Sequence, residues 1–343
     1  MAEQVEQVHR TLQGMNDDGF FSWAIERGGF FTRGEAIDCG MRDSQLRQAV
    51  RAKYLVRLRH GYYSPSTYVE SLDSTERHAL LARAVHHRLG DRYALAGISA
   101  CAVQGVELWS DDLTTVHVVR IDGRTGRKEA GVRYHEFPVE PEADVVSVGA
   151  VRAMNPAHAV WQAGCDQTIE RGLVSTNSAL HRGIVTAETL RSRAAAFSRW
   201  PGSRGARIAI GLADPRVESV GESRTFYLCW EQHLPLPEPQ FEVIDDAGTL
   251  IGRTDFAWHE YRHVAEFDGA AKYSRYLRPG ESISDAVMRE KVRENLIRAE
   301  LFGVTRIIWI ELTSSKRLHT ARTLHEALDQ SRRLYTRNRT VVA

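Results

Sequence analysis

Cysteine, net charge and long apolar runs are all scarce in this 343-residue chain, and each scarcity excludes something. The four cysteines, Cys39, Cys101, Cys165 and Cys229, lie far apart with no C-x-x-C between them, which speaks against a disulfide scaffold and a cysteine-built metal site. A reducing cytoplasm is the expected compartment. Lys and Arg total 45 against 44 Asp and Glu, so a net charge of +1 offers no global attraction to nucleic acid or membrane. Any such affinity has to be local. No stretch approaches the roughly 18 apolar residues of a membrane span. The opening "MAEQVEQVHRTLQGMNDDGF" is charged and has no apolar core of signal-peptide length, so neither a membrane nor a secretory address is expected. Repeats and low-complexity tracts are missing too. The glycines of "GRTGRK" make no phosphate-binding loop, since no Gly-Lys-Ser/Thr follows and no strand-to-helix transition surrounds them.

What is present is an ordinary globular composition, 43% hydrophobic and 26% charged, in a chain long enough for two or three domains. The expected division is residues 1–68, 69–215 and 216–343, a multidomain chain of α+β and α/β parts.

The first part is read from "FFTRGEAIDCGMRDSQLRQAVRAKYLVRLRHGYYSP". Thr32 is placed to cap a short helix with Glu35 closing a capping box, and Gly40 to end it where a positive φ is tolerated. A second helix is expected from about Asp43 to Lys53, with Leu46, Ala49 and Val50 as its buried stripe. Arg42, Ser44, Gln45, Arg47, Gln48 and Arg51 are left as outward candidates, rich in the forked and amide groups that pair with guanine and adenine edges. "YLVRLRHGYY" then alternates as a strand, with Val56 and Leu58 inward, Arg57 and Arg59 on the other face, and Gly61 at a turn. Helix, turn, helix and basic strand pair make a winged helix-turn-helix. Between Arg42 and His60 only Asp43 is acidic, and a one-signed stripe attracts phosphate even on a neutral chain. Double-stranded DNA is the expected partner. A small protein-binding helical domain with a solvated face is the alternative.

The middle segment says less. Leu80, Leu81, Ala84, Val85 and Leu89 have helical spacing. "TTVHVVRID" reads as a strand and "VRYHEF" as its antiparallel return, around a turn made basic by Arg124, Arg127 and Lys128. Residues 159–197 read as short helices, and "RWPGSRGARIAIGLADPRVESVGES" as a linker.

The third part has the order α-β-β-β-α-β. It begins with a helix carrying Glu222 in its first turn, followed by a hairpin around Asp-Asp-Ala-Gly and a third strand, "HVAEFDG". A long helix with Met288, Val292, Leu296, Ala299 and Phe302 on one face comes next, then a buried strand, "VTRIIWIEL". Two sites overlap in "RTDFAWHEYRHVAEFDGAAKY". His259, Glu260 and His263 spell the H-E-x-x-H of zinc proteases, a pattern that works only on a helix. Here it falls on a link between strands. Glu266 and Asp268 instead share a strand face, Asp255 can join them from the neighbouring strand, and Glu222 from the helix. Such a carboxylate set suits Mg²⁺, with Mn²⁺ as substitute, and a metal-bound water could attack a phosphodiester. Lys272 is the candidate to position that water or neutralise the transition state.

The order α-β-β-β-α-β with Glu222, Asp255, Glu266 and a nearby lysine resembles the PD-(D/E)XK (restriction-endonuclease-like) superfamily, especially its very-short-patch-repair-like members. That family closes its site with Glu-x-Lys or Asp-x-Lys. This chain has Glu266-Phe267-Asp268, so Lys272, or Lys291 on the next helix, would have to substitute. With its N-terminal part, the chain resembles the AbiEi-type antitoxins of type IV toxin-antitoxin systems. The resemblance implies an operator-binding repressor that counteracts a nucleotidyltransferase-like toxin in phage defence; for such a regulator the third part is the candidate surface for a homodimer. Two functions stay open: a DNA-binding regulator, and a Mg²⁺-dependent endonuclease targeted by its winged helix.

Overall fold

The computed structural model describes residues 19–109, 112–122, 129–245, 247–269 and 282–335. The chain divides into two compact units, one of Met1–Ser175 with Ile184–Ile210 and one of Thr176–Gly183 with Gly211–Ala343. The winged helix and the middle segment therefore fall in one unit.

The capping residues expected from the sequence set the first elements. Helix α1 (Phe20–Arg27) leads into a short strand β1 (Phe31–Thr32) and helix α2 (Arg33–Asp38). The Thr32 hydroxyl accepts from the Glu35 N–H while the Glu35 carboxylate accepts from the Thr32 N–H at 2.7 Å, the reciprocal bonds of a capping box. Gly40 has φ +87°, which ends the turn before helix α3 (Asp43–Arg51). Strands β2 (Leu55–Arg59) and β3 (Tyr62–Pro65) form the wing, with Gly61 at φ +79° between them. Strand β1 joins them to give the order β1-β3-β2. Phe20, Ala24, Phe31, Ala36, Met41, Leu46, Ala49 and Leu55 close one core under the helices.

The wing departs from simple alternation. An irregularity between Arg57 and Arg59 breaks the period of two, so Leu55 enters this core. Leu58 packs with Phe30, Leu80 and Ala84 instead, and Val56 is only half-buried.

Helix α4 (Ser66–Ser71) then leads to α5 (Ser74–Leu89), capped by Asp73 and Glu76. Leu80, Ala84 and Val85 are buried as the spacing predicts, but so are His78, Ala79, Ala82 and His86, which makes α5 an interior helix. Strand β4 (Tyr93–Leu95), helix α6 (Gly97–Val103), strands β5 (Val116–Arg120) and β6 (Val132–His135), the turn α7 (Pro141–Asp144) and strands β7 (Val145–Val148) and β8 (Val151–Met154) follow. The sheet order is β6-β5-β4-β8-β7.

Strand β6 corrects the expected antiparallel return: it runs parallel to β5, with Val116 opposite Val132 and Val119 opposite His135. A tight hairpin joins only antiparallel strands, so the parallel pairing rules out the return that the sequence suggested. Arg124, Arg127 and Lys128 lie outside the described residues. Helices α8 (Pro156–Asp166), α9 (Ile169–His181), α10 (Ala187–Ala196) and α11 (Ser203–Leu212) complete this stretch. The helix α11, whose Ala206 and Ala209 are buried, therefore runs through the expected linker.

The second unit has the expected order α-β-β-β-α-β and one further helix. Helix α12 (Val220–Glu231) precedes strands β9 (Glu238–Ile244), β10 (Leu250–Trp258) and β11 (His263–Asp268). Helix α13 (Ile283–Ala299), strand β12 (Gly303–Ile308) and helix α14 (Arg317–Tyr335) follow. The sheet order is β12-β11-β10-β9, with β11 and β12 parallel across α13.

The buried face of α13 is not the one that the sequence periodicity predicts. Met288, Val292 and Leu296 are 63%, 51% and 49% exposed, whereas Ile297 is buried with Val243, Ala257, Val264 and Phe302. Arg293 pairs with Glu266 of the sheet, and Glu290 and Glu294 pair with Arg306 of the sheet, so the charged side of α13 faces the strands and the apolar stripe is turned away. The strand β12 also stops sooner than "VTRIIWIEL" suggests, giving way to a 3₁₀ turn over Trp309–Leu312.

Gly221 is where α12 meets β11. A Cβ there would fall 2.0–2.3 Å from the Phe267 ring, inside any real contact. In an exposed helix, Gly→Ala stabilises by about 1 kcal/mol. Here the sign should reverse: Gly221→Ala should destabilise the second unit by roughly 1–3 kcal/mol through overpacking, as read by urea unfolding. A stabilised variant would show that Phe267 can yield.

Candidate nucleic-acid interface and acidic cluster

Leu46 and Ala49 anchor α3 to the core, and that fixes which face looks outward. Ser44, Arg47, Gln48 and Arg51 stand at i, i+3, i+4 and i+7, one helical face, with Ser44, Arg47 and Arg51 exposed and Gln48 half-buried. Arg42 is exposed at the N-cap. Asp43, the sole acid of this stretch, is held by Arg33, whose Nε donates to Oδ1 at 2.6 Å and whose Nη2 donates to Oδ2. The Arg33 hydrogen bonds keep the Asp43 carboxyl below the usual carboxylate range. The helix therefore presents cations whose one acidic neighbour already has a partner.

Two predicted contact residues are engaged within the protein. Gln45 accepts from the Arg42 N–H through Oε1 at 2.8 Å, which closes the helix start. Arg59 donates to the Glu129 carboxylate at 3.1 Å and to the carbonyls of Ala130 and Gly131. It ties the wing to the start of β6. Arg57 is exposed, with Nη2 2.9 Å from His60 Nδ1. Sequence alternation could not separate Arg57 from Arg59, because the irregular register and a partner some 70 residues away decide it.

In the second unit, Glu222 is buried in the first turn of α12, and Asp255 on β10 accepts from the Phe267 N–H at 2.8 Å. Glu266 and Asp268 lie on β11. Burial, with the Asp255 charge added, pushes the Glu222 carboxyl up, and burial pushes Glu266 up as well. The Asp255 charge thus acts on both Glu222 and Glu266. Their oxygens already have protein partners, however. Glu222 accepts from Ser219 Oγ at 2.7 Å, the Glu218 N–H at 3.0 Å and Gln240 Nε2 at 2.9 Å. Arg293 Nη2 lies 2.5 Å from Glu266 Oε1, and Arg306, opposite Glu266 in register, lies 3.8 Å from Glu266 and 4.0 Å from Asp268. Glu290 bridges both guanidiniums at 2.5 and 2.7 Å. A carboxylate set already holding two arginines fits Mg²⁺ poorly, and no catalytic step is derived through a metal there. Lys272 lies outside the described residues. Lys291 lies on α13.

The H-E-x-x-H residues sit as the link between strands predicts. His259–Tyr261 form a 3₁₀ turn and His263 begins β11. His259 Nε2 is 2.6 Å from Glu238, while buried His263 reaches Ser331 Oγ and Thr305 Oγ1, each at 2.8 Å. The two imidazoles serve separate contacts.

A grouping that the sequence did not reveal lies in the first unit. His117, His135 and Asp166 bring one potential ligand atom each within 4.8 Å of the others, a cluster able to coordinate a metal ion. No motif links these residues.

Residues 21–65, from α1 to the end of β3, match the family model described as "Transcriptional regulator, AbiEi antitoxin". Over these residues the N-terminal part is similar to an AbiEi antitoxin domain, and the match supports a function as DNA-binding transcriptional regulator and antitoxin. Over 200 residues the chain is 28% identical to the uncharacterized proteins MT2308 and Rv2248 of two Mycobacterium tuberculosis strains, a span of 57% of this chain and 70% of theirs. Among solved structures it is similar to the RV2827C protein from Mycobacterium tuberculosis, at 15% identity and a TM-score of 0.35 over 60% of this chain and 77% of that one. That likeness is too slight to carry fold or function.

Burial lowers the His263 pKa to about 4. The unfolded imidazole, with an ordinary pKa near 6.5, takes up a proton that the folded one refuses until about pH 4, so stability falls as pH drops through that window. His263→Gln should flatten the loss by up to about 1.4 kcal/mol per pH unit in urea unfolding between these pH values. An unchanged slope would mean that His263 is protonated in the folded protein.

Proposed function

We propose that the chain is a repressor that reads an operator with α3 in the major groove and its wing against the flanking backbone. One observation carries this reading: Ser44, Arg47, Gln48 and Arg51 share the outer face of a helix whose inner face is locked into the winged-helix core. A guanidinium fork matches O6 and N7 of guanine, and an amide matches N6 and N7 of adenine. Arg42 and Arg57, at the edges of that face, are suited to phosphates, which orient a protein on DNA without reading it. Gln45 and Arg59 support the same surface from within, one by closing the helix start and the other by holding the wing. A homodimer on an inverted repeat and a nucleotidyltransferase-like toxin as the counterpart complete the reading.

The second reading is a Mg²⁺-dependent endonuclease on a PD-(D/E)XK scaffold. The order α-β-β-β-α-β and the approach of Glu222, Asp255 and Glu266 favour the scaffold. Cutting is disfavoured by Asp268 at the position of the family's lysine and by the grip of Arg293 and Arg306 on the acids. We therefore assign the nuclease fold a supporting role, with its acids neutralised by arginine.

The purified chain should bind an inverted repeat upstream of its own gene, and log affinity should fall steeply with log salt. Arg47→Ala and Arg51→Ala should each weaken binding at least about tenfold and lower the salt slope by about 0.9 if phosphate is the partner. Unchanged affinity in the double variant would remove this docking. Incubation with supercoiled and linear DNA in Mg²⁺, Mn²⁺ or EDTA should leave both wild type and Asp255→Ala without cleavage. Metal-dependent nicking lost in Asp255→Ala would establish the endonuclease instead.

A further inference from the structure

The parallel pairing of β5 and β6 places His117 and His135 as diagonal neighbours on one face of the sheet, because Val119, two residues beyond His117, lies opposite His135. Their rings are 5.0 Å apart, with His117 Nδ1 3.1 Å from His135 Nε2. Asp166, the last residue of α8, faces the pair. One of its oxygens, Oδ1, is 3.4 Å from Arg133 Nη2. The other, Oδ2, is buried without a hydrogen-bond partner and lies 3.8 Å from His135 Nε2.

Gly97, at the start of α6, leaves the space between these groups open. A Cβ there would stand 3.3 Å from His117 Nδ1, 3.7 Å from Asp166 Oδ2 and 3.8 Å from Gln162 Cδ. Gln162 is fully buried, its Oε1 accepts from the Gly97 N–H at 2.9 Å, and its Nε2 has no hydrogen-bond partner. An orphaned carboxylate oxygen thus stands beside two imidazoles around that space, and the orphaned amide nitrogen of Gln162 belongs to the same helix as Asp166. An unpaired buried carboxylate oxygen is costly, and a cation is the partner that removes the cost.

From this geometry we infer that His117, His135 and Asp166 form a binding site for a first-row divalent transition ion, zinc above all. Two ligands 2.0–2.1 Å from a tetrahedral ion stand about 3.3 Å apart, so the observed 3.1 and 3.8 Å need shifts of about half an ångström. Two imidazoles and one carboxylate suit zinc, cobalt or nickel, whereas Mg²⁺ prefers oxygen throughout. Arg133 on Oδ1 orients the carboxylate so that Oδ2 faces the ion, a supporting contact typical of metal sites. Three protein ligands leave a fourth position for water. The site joins β5, β6 and the end of α8, and β6 begins one residue beyond the backbone that Arg59 of the wing holds.

The full chain, stripped with EDTA, is titrated with Zn²⁺ and with Co²⁺. One equivalent of each should bind, and cobalt should show the visible absorption of a four-coordinate centre. His117→Ala and Asp166→Asn should each lower affinity at least about 100-fold. Asp255→Asn, in the other unit, should bind as wild type. Zinc X-ray absorption of the wild type should report nitrogen and oxygen neighbours and no sulfur, a readout independent of whether variants fold. Failure of the wild type to bind either ion, a sulfur shell, or undiminished binding in folded His117→Ala and Asp166→Asn would overturn the site.

Discussion

Arg293 sits between Glu266 and Glu290, and Arg306 reaches Glu266, Asp268, Glu290 and Glu294 from the adjoining strand. Charge taken out of water has to meet its opposite, and this pairing governs the second unit. It permits a parallel strand pair to carry acids on one face, it turns the charged side of α13 toward the sheet, and it leaves Met288, Val292 and Leu296 outward. Replacing one partner of such a half-buried cluster leaves the other with little water and no counter-charge, which is why breaking the pair costs more than making it gains. The same pairing bears on function. Carboxylates that hold guanidiniums are poor ligands for a hard cation, so a nuclease-like order of elements does not by itself imply a nuclease.

The first unit obeys the constraint differently. Arg33 holds Asp43 at the start of α3, and Glu129 holds Arg59 and Arg88. The helix face between them keeps its cations exposed, as a surface that meets phosphate needs. Asp166 Oδ2, beside His117 and His135, is among the buried polar atoms of the described residues that have no hydrogen bond, and it is the carboxylate oxygen among them. A buried carboxylate oxygen without a partner, set beside two imidazoles, is a place where a ligand is to be sought.

Sequence signals suffice where local chemistry decides. Thr32 with Glu35, and the glycines at 40 and 61, act through bonds and dihedrals within a few residues, so the helix-turn-helix and its wing are legible in the residues alone. The order α-β-β-β-α-β is legible for a similar reason, since the apolar alternation and the turn signals between 238 and 268 each belong to one element. The same locality disqualifies the H-E-x-x-H pattern, which needs a helix and meets a 3₁₀ turn at His259–Tyr261.

The sequence by itself determined the winged-helix framework, the order of elements in the second unit, and the acids and cations available at each candidate surface. Tertiary structure alone decided which of them are used. Strand direction turned "VRYHEF" into a parallel edge and so made neighbours of His117 and His135. The register break in the wing sent Arg59 to the 129–131 backbone while Arg57 stayed exposed. The charged face of α13 prevailed over its longer apolar stripe. The physical reason is common to all three. Hydrophobic periodicity says that a face will be buried, but the partner of a charge, or of a lone pair, can lie tens of residues away, and no local pattern encodes that distance.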